Sequence, residues 1–328
     1  MQEWTLFTTP LPSELAAICL SVHITIFITN ILVIATFTRM KKLVLLHYYM
    51  LGLVVADLII LIPSTTGIMA LIKGELWING ALCKLLGIAA TSSIEITTVI
   101  HTAMCIDRWV SVAYPITYRE LATRRHAKTK TILIILACTL IPITFNVVTS
   151  LTGDITFDFN PFIPNCAISS QTSTTLGMML TMLLFILGPM IVHAVSNIYL
   201  LSRVAKLKGL SRRRLFHSIR TVVITVLIYY IFYAPTAVRL AMAVAAPHKQ
   251  SMWFTFISTE ILVAASGVSF FIYASTIIDF RKALLSIFQN KKRRIQCAET
   301  RITTTVQDAT TDANYIETKP ESTAITSV

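Results

Sequence analysis

The residues of this chain that could do chemistry are acids and bases embedded in long apolar stretches. Asp57 lies about midway in one stretch, Glu95 and His101 lie within the next, and that second stretch ends in Asp107-Arg108. A carboxylate at the centre of a bilayer costs about 2.5 to 3.5 kcal/mol by insertion scales, so such acids face other helices and mark functional sites. Asp107 could pair with Arg108 or release it to another partner, which makes this acid and base a candidate switch.

The composition places these residues in a membrane protein. Of the 328 residues, 55% are hydrophobic and 13% are charged, and the mean hydropathy is +0.70. A soluble domain has about half apolar and a quarter charged residues. Apolar stretches close to the roughly 20 residues that a membrane-spanning helix needs occur near 16–38, 46–72, 84–110, 131–150, 174–201, 218–246 and 252–276.

These stretches predict an all-α membrane protein, a seven-transmembrane helix bundle with a short amphipathic eighth helix. The eighth helix is expected because Phe280, Leu284 and Phe288 recur four residues apart with bases between them. The predicted extracellular N-terminus, bundle, eighth helix and disordered cytoplasmic tail cover residues 1–15, 16–278, 279–290 and 291–328. We find no Walker loop, HExxH helix or paired-cysteine metal site, so we expect neither an enzyme nor a cofactor.

The basic residues follow a membrane topology. A net charge of +12 would suggest nucleic acid in a soluble protein, but all except four of the 28 lysines and arginines lie at helix ends on one side. The positive-inside bias predicts a multi-pass protein with its N-terminus outside, and bases placed in this way do not indicate a nucleic-acid partner. The expected location is the plasma membrane. Seven bases and no acid lie in residues 203–220, and this segment would lie against the anionic inner leaflet or a partner protein.

Two cysteines would face the outside in this topology. Cys83 begins the third helix and Cys166 lies in the loop before the fifth, where an oxidising compartment lets them form a disulfide. The alternative is two free thiols. In the same loop, Ile155, Phe157 and Phe159 alternate with polar residues, which indicates a short strand and a hairpin over the bundle.

The C-terminal tail carries two further candidate sites. Cys297 lies shortly after the bases of residues 291–294 and is a candidate for palmitoylation. Thr326 stands two residues before the apolar terminal Val328, a pattern that could bind a PDZ domain by strand addition but that also arises by chance.

The polar residues of the third helix predict an interior site. Thr97, His101 and Arg108 share one face, because residues three and four apart lie together on a helix, so Thr97 and His101 would look toward Asp57. Asp57 is then either a sodium or proton site or a hydrogen-bonded packing acid. His101 is either a pH sensor or a neutral, satisfied histidine.

Three further charged residues are candidate ligand contacts. Glu95 is about 18 Å along the third helix from Cys83, and it could bind a cationic ligand, pair with another side chain or stay protonated. Glu260 in the seventh span and Arg239 near the outer end of the sixth have the same alternatives.

The order and spacing of these residues resemble those of rhodopsin-like (class A) G protein-coupled receptors over residues 16–290. The matching residues are Asn30, Leu53, Asp57, Cys83, Asp107, Arg108, Trp109, Pro115, Tyr118, Cys166, Pro189, Pro235, Tyr273 and Phe280. The resemblance implies that Arg108, held by Asp107 at rest, is released when the sixth helix swings outward and then contacts a Gα subunit. Trp109 and Tyr273 belong to the same coupling switch. Receptor kinases and arrestin would act on the tail.

Several positions depart from that pattern. Trp109 replaces a tyrosine, Ser269-Phe270 replaces Asn-Pro in the seventh helix, and Tyr233 and Phe232 replace the sixth-helix tryptophan and cysteine. The sodium site implied by the resemblance is Asp57, Thr97 and Ser266, but Ala265 replaces an asparagine. Other replacements lie at Ala90, where amine receptors carry an aspartate, and at Asn197, where the fifth-helix tyrosine falls.

The resulting hypothesis is a receptor that transduces binding of an unknown extracellular ligand, a peptide or small molecule, to heterotrimeric G proteins. The candidate pocket residues are Ala90, Glu95, Tyr233, Arg239 and Glu260. One alternative is a weakly coupling decoy or scaffold receptor, which the changes at Tyr233 and Ser269-Phe270 motivate. An alternative from another class is an ion-coupled transporter or channel with Asp57, Glu95 and His101 as its path, although no inverted repeat supports it.

Overall fold

Seven helices of the computed structural model are long and apolar enough to cross a membrane. The structure describes residues 12–40, 43–73, 80–123, 127–160, 165–169, 172–206, 208–245 and 252–288. In chain order, the first to seventh spans run over Ser13–Arg39, Leu45–Lys73, Gly80–Ala113, Ala127–Thr152, Thr175–Lys206, Gly209–Ala245 and Met252–Thr276. The predicted seven-helix bundle is therefore confirmed.

The fifth span contains a π-helical turn that the sequence did not predict. Leu183–Leu187 is π-helical and separates the α-helices Thr175–Met182 and Gly188–Lys206. Pro189 follows the turn and has no backbone N–H to donate, which favours a local change of hydrogen-bond register. Gly188 accordingly donates its N–H to the carbonyl of Leu183, five residues earlier.

The fifth and sixth helices both extend into the basic segment between them. The prediction ended the fifth span at residue 201 and began the sixth at 218, but the helices reach Lys206 and start at Gly209. Arginine and lysine are good helix formers, so polar residues extend both helices beyond their apolar parts. Gly209 has a φ of 60°, a left-handed conformation that glycine adopts without strain.

Two short helices flank the Arg108 side of the bundle. Pro115–Thr123 lies between the third and fourth spans, in a stretch for which the sequence had predicted no helix. The predicted amphipathic helix is present over residues 278–288. Phe280 on this helix is fully buried, with its ring centroid 5.4 Å from Phe37 and 6.1 Å from Tyr273, so the helix is packed onto the first and seventh spans.

A β-hairpin covers the opposite end of the bundle. Phe157–Asn160 pairs antiparallel with Asn165–Ile168, and Cys166 in the second strand forms a disulfide with Cys83. Gly87 lies one turn further along the third span, and a Cβ there would overlap the Phe157 ring. Glycine therefore lets the hairpin lie directly on the helix. The predicted strand and disulfide are both confirmed.

These features distinguish the two ends of the helix bundle. The hairpin end carries the disulfide, and the Arg108 end is where the third span approaches the short helix Pro115–Thr123. The largest buried apolar cluster includes Met50, Leu53 and Met104. Most of the predicted N-terminus 1–15 lies outside the described residues. The predicted tail 291–328, with Cys297, Thr326 and Val328, lies wholly outside them.

Polar side chains join the spans inside this packing. The Asn30 side-chain amide donates to the carbonyls of Ile26, at 3.0 Å, and Ser266, at 3.2 Å, which links the first span to the seventh. The Ser93 hydroxyl donates to the Ala56 carbonyl at 2.6 Å and links the third span to the second. A buried amide needs such partners, and these contacts place Asn30 toward the interior of the bundle.

Candidate functional site

At the Arg108 end, Arg108 is held by an acid and a phenol. Its Nε donates to Asp107 Oδ2 at 2.9 Å, and its Nη2 contacts the same oxygen. Nη2 also donates to the Tyr118 hydroxyl at 2.8 Å, while that hydroxyl lies 3.1 Å from Asp107 Oδ2. Burial raises the pKa of Tyr118, so the phenol keeps its proton and can donate to Asp107.

This arrangement secures Arg108 without any acid of the sixth span. The side chains of Arg108 and Asp107 are 12% and 13% exposed, so water screens their attraction only weakly. Residues 203–220, which include the start of the sixth span, contain no Asp or Glu. The predicted acid-base pair is thus present, and Tyr118 completes it from the short helix.

Trp109 joins the third span to the fifth. Its ring centroid lies 6.1 Å from that of Tyr199 and 6.1 Å from that of Tyr114, both near edge-to-face. Arg203 donates its Nε to the Tyr199 hydroxyl at 3.0 Å. Tyr199 therefore contacts both Trp109 of the third span and Arg203 of its own span.

A second arginine connects the sixth span to the end of the seventh. Arg220 Nη2 donates to the Thr276 carbonyl at 2.6 Å. The last carbonyls of a helix have no partner within the helix, and they lie at the negative end of its dipole, so a guanidinium there is favourable. The sequence identified Arg220 only as one of seven bases. Its partner is a backbone atom, which no residue motif encodes.

Tyr273 lies one turn before Thr276 and is fully buried. Its ring packs 6.3 Å from Phe37 and 6.1 Å from Phe280, and its hydroxyl has no hydrogen-bond partner. The predicted coupling residues therefore fall in two places, with Asp107 and Arg108 beside the short helix and Tyr273 against the helix of residues 278–288.

A cavity of about 50 Å³ lies in the interior around Asp57. The predicted site residues Thr97 and Ser266 line this cavity together with Asp57, His101 and Tyr229. Asp57 Oδ2 and both ring nitrogens of His101 are buried without hydrogen-bond partners. Since one water needs about 10 to 15 Å³ by this measure, the cavity has room for a few waters or a partly hydrated ion.

Aromatic rings continue from this cavity through the sixth span. The His101 ring lies 5.0 Å from Tyr229, which stacks on Tyr233 at 5.1 Å. The Tyr229 hydroxyl is 2.6 Å from Thr98 Oγ1, while His193 Nε2 from the fifth span is 2.9 Å from a neighbouring threonine hydroxyl. This contiguous set joins the third, fifth and sixth spans and was visible in sequence only as isolated aromatic residues and histidines.

Three of the predicted pocket residues, Glu95, Tyr233 and Arg239, lie on the third and sixth spans. Glu95 is 3% exposed, and its Oε2 accepts from the Asn146 amide at 2.5 Å, whereas its Oε1 has no partner. Tyr233 is buried and stacks on Tyr229. The Nε of Arg239 is also buried without a partner.

The other two predicted pocket residues lie in different surroundings. Glu260 Oε2 is 3.3 Å from Nε2 of His23, whose Nδ1 lies 3.2 Å from Thr65 Oγ1. Glu260 thus belongs to a polar contact among the first, second and seventh spans. Ala90 packs in an apolar cluster with Ile26, Ile60, Leu61 and Val263. Nothing in the spacing of His23 had indicated its partner.

The polar groups of the described residues do not assemble a metal centre. Within the described ranges, no group of three or more His, Cys, Asp or Glu side chains is placed to hold a metal ion. What the geometry provides is an ion pair at one end, a small polar cavity in the middle and a buried Glu95 carboxylate with one unpartnered oxygen.

Residues 29–278 of the chain match the model of a protein family described as 7 transmembrane receptor (rhodopsin family). The chain belongs to this receptor family. The match starts at residue 29, within the first span, and includes the other six spans, the disulfide, the Asp57 cavity and the Asp107-Arg108 pair. The receptor is accordingly a multi-pass membrane protein of the G protein-coupled class, whose members are as a rule receptors rather than enzymes.

Proposed function

We propose that the receptor binds an extracellular ligand and transmits this event to a heterotrimeric G protein by freeing Arg108. The observation that carries the proposal is the Asp107, Arg108 and Tyr118 triad, which holds a guanidinium by contacts that can exchange. In this proposal Trp109 and Tyr273 take part in the same switch. The N-terminus lies outside and the Arg108 end faces the cytoplasm of a cell whose plasma membrane carries the receptor.

The proposed route from ligand to G protein runs through the sixth span. Tyr233 and Tyr229 stack on each other, and Tyr229 contacts His101 beside the cavity. A ligand that binds one arrangement of these rings more tightly shifts the population toward it by its difference in affinity. Movement of the sixth span would then break the bond between Arg220 and Thr276 and open the Arg108 end.

The cavity around Asp57 is the proposed site for a sodium ion or a proton that accompanies this transition. Asp57 and the hydroxyl-bearing Thr97 and Ser266 supply the oxygen ligands that a hard cation prefers. The replacement of an asparagine by Ala265 removes one possible ligand from the lining.

We further propose partners for the cytoplasmic tail. Receptor kinases would phosphorylate its serines and threonines, and arrestin would bind the phosphates through basic residues. Palmitate on Cys297 would attach the tail to the membrane. The final residues Thr326 to Val328 would engage a PDZ domain.

A decoy or scaffold receptor is the second candidate function. It is supported by Phe270, which replaces a helix-breaking proline and packs its ring 5.3 Å from Phe271 and 6.3 Å from Phe280. Such packing would hold the end of the seventh span in one position. The transporter alternative gains less support, because Glu95 pairs with Asn146 and does not line the cavity that holds Asp57 and His101.

The test is G protein dissociation in cells expressing the receptor, its Arg108→Ala variant or its Arg39→Ala variant. Arg39 is an exposed base at the cytoplasmic end of the first span and serves as the matched control. We expect ligand-independent and ligand-driven signals to disappear with Arg108→Ala and to persist with Arg39→Ala. If the unsubstituted receptor reaches the surface and gives no signal with any Gα class, the proposed coupling to G proteins is wrong and the decoy function is favoured. Ion flux that survives Arg108→Ala and stops with Asp57→Asn would instead show a transporter.

A further inference from the structure

An acid and a histidine meet inside the bundle toward its hairpin end. Nε2 of His23 on the first span lies 3.3 Å from Oε2 of Glu260 on the seventh, and Nδ1 of His23 lies 3.2 Å from the hydroxyl oxygen of Thr65 on the second. Each of the three residues lies about 12 to 15 Å along its helix from the hairpin end, at 1.5 Å per residue. One imidazole ring therefore contacts two other spans.

This contact leaves two polar atoms unsatisfied. Nε2 of His23 forms no hydrogen bond despite its short distance to Glu260, and Oε1 of Glu260 is also buried without a partner. An ionised carboxylate in an apolar interior is costly unless a cation pairs with it. Among the described residues, the basic side chain within 4 Å of Glu260 is that of His23.

Protonation of His23 supplies the missing positive charge. A neutral imidazole has one N–H donor and one acceptor nitrogen, whereas the protonated ring donates from both nitrogens. The protonated ring can therefore donate to Thr65 and to Glu260 at once, and hydrogen bonds between ionised groups are the stronger kind. Uptake of one proton from water forms one N–H bond, and no other covalent bond changes.

Few other groups act on this pair. The side chains of His23 and Glu260 are 3% and 15% exposed, so water reaches the carboxylate but screens the attraction only weakly. The Cys19 thiol, one turn before His23 on the first span, interacts with the same carboxylate. Thr65, which the second span contributes, does not titrate. Histidine is the side chain whose charge ordinarily changes between pH 5 and 8.

We propose that His23 is a proton-binding site and that its protonated form ties the first span to the second and seventh through Thr65 and Glu260. This inference goes beyond the proposed function, because it concerns the response of the bundle to pH and holds without a G protein. The ion pair exists only while His23 carries a proton. Its stabilisation is therefore present at low pH and is lost as the pH rises.

The test is the thermal unfolding midpoint of the purified full-length receptor in detergent, measured between about pH 8 and about pH 6 at constant ionic strength. The receptor is compared with its His23→Gln and Glu260→Gln variants, since glutamine keeps a polar side chain without a charge. On acidification, the midpoint of the receptor should rise by about 1 to 3 °C more than that of either variant. The double variant should lose no more of this rise than each single variant does.

Two further variants separate this contact from general effects of charge and folding. Glu14→Gln removes an exposed acid from the first turn of the first span and should keep the full rise. Thr65→Val removes the hydroxyl beside His23 and should reduce the rise without abolishing it, because Glu260 still pairs with the ring. If His23→Gln does not fold, Glu260→Gln and Thr65→Val test the same contact from the other two spans.

The inference is overturned if the receptor and His23→Gln respond equally to acidification, or if Glu260→Gln retains the full rise. A loss of the rise in Glu14→Gln as large as that in Glu260→Gln would also overturn it, since a general effect of negative charge would then explain the response. These outcomes are independent of the proposed coupling, because the receptor is tested without a G protein.

Discussion

The hairpin end of the receptor is fixed by a covalent bond, whereas the Arg108 end is held by hydrogen bonds and one ion pair. Cys83 is bonded to Cys166, and the hairpin rests on the third span at Gly87. At the other end, Asp107 and Tyr118 hold Arg108 through contacts of about 3 Å. Only the second set can break and re-form on the time scale of signalling, which supports the proposal that the Arg108 end is the one that switches.

The disulfide provides the largest expected effect. Replacing Cys83 or Cys166 with serine should lower the free energy of unfolding by about 2 to 5 kcal/mol, as removal of native disulfides does in small domains. We expect reduced surface expression, measured by antibody labelling of intact cells. Cys138→Ser changes a free buried thiol and is the control. Unchanged surface expression and an unchanged free energy of unfolding in both variants would show that the hairpin end does not need the disulfide.

Arg220 tests whether the Arg108 end is held by reversible contacts. Arg220→Ala removes a charge-assisted hydrogen bond to the Thr276 carbonyl, which is worth about 1.5 to 3 kcal/mol. Because this bond joins the sixth span to the seventh, we expect higher ligand-independent G protein dissociation. Arg281→Ala, an exposed base on the helix of residues 278–288, should not change it. Equal ligand-independent signals in the two variants would show that the bond between Arg220 and the Thr276 carbonyl does not restrain the resting receptor.

Gly87 tests the packing at the fixed end. In Gly87→Ala the new Cβ overlaps the Phe157 ring, and such overpacking costs about 1 to 3 kcal/mol. The thermal unfolding midpoint should fall while basal signalling stays the same. Gly80→Ala is the matched control, since a Cβ there meets nothing within 4 Å. Similar midpoints for both variants would mean that the hairpin moves aside at little cost.

Tyr229 lies between the two ends, and its hydroxyl carries the smallest predicted effect. Tyr229→Phe removes the 2.6 Å contact with Thr98 but keeps the ring that stacks on Tyr233. We expect a loss of about 0.5 to 1.5 kcal/mol in the free energy of unfolding. A double-mutant cycle with Thr98→Val measures the coupling between the two hydroxyls. Additive losses would show that they do not interact.

Features that depend on position along one helix were predicted from the sequence. Apolar length gave the seven spans, and helical spacing placed Thr97 and His101 toward Asp57. The disulfide followed from two cysteines that the predicted topology put on the same side.

Features that depend on how two distant helices are rotated were not predicted. The contacts between His23 and Glu260 and between Arg220 and the Thr276 carbonyl join residues that no local pattern relates. Their formation depends on tilt and packing of whole spans. The same holds for Glu95, whose Asn146 partner lies on another span.

The central claim is that Asp107 restrains Arg108 until the receptor is activated. Its most direct test is ligand-independent G protein dissociation in Asp107→Asn, Arg108→Ala and the double variant at matched surface expression. We expect Asp107→Asn to raise the signal because it removes the negative charge from the pair, and we expect the double variant to give no more signal than Arg108→Ala. An elevated signal that persists in the double variant, or an unchanged signal in Asp107→Asn, would contradict the claim.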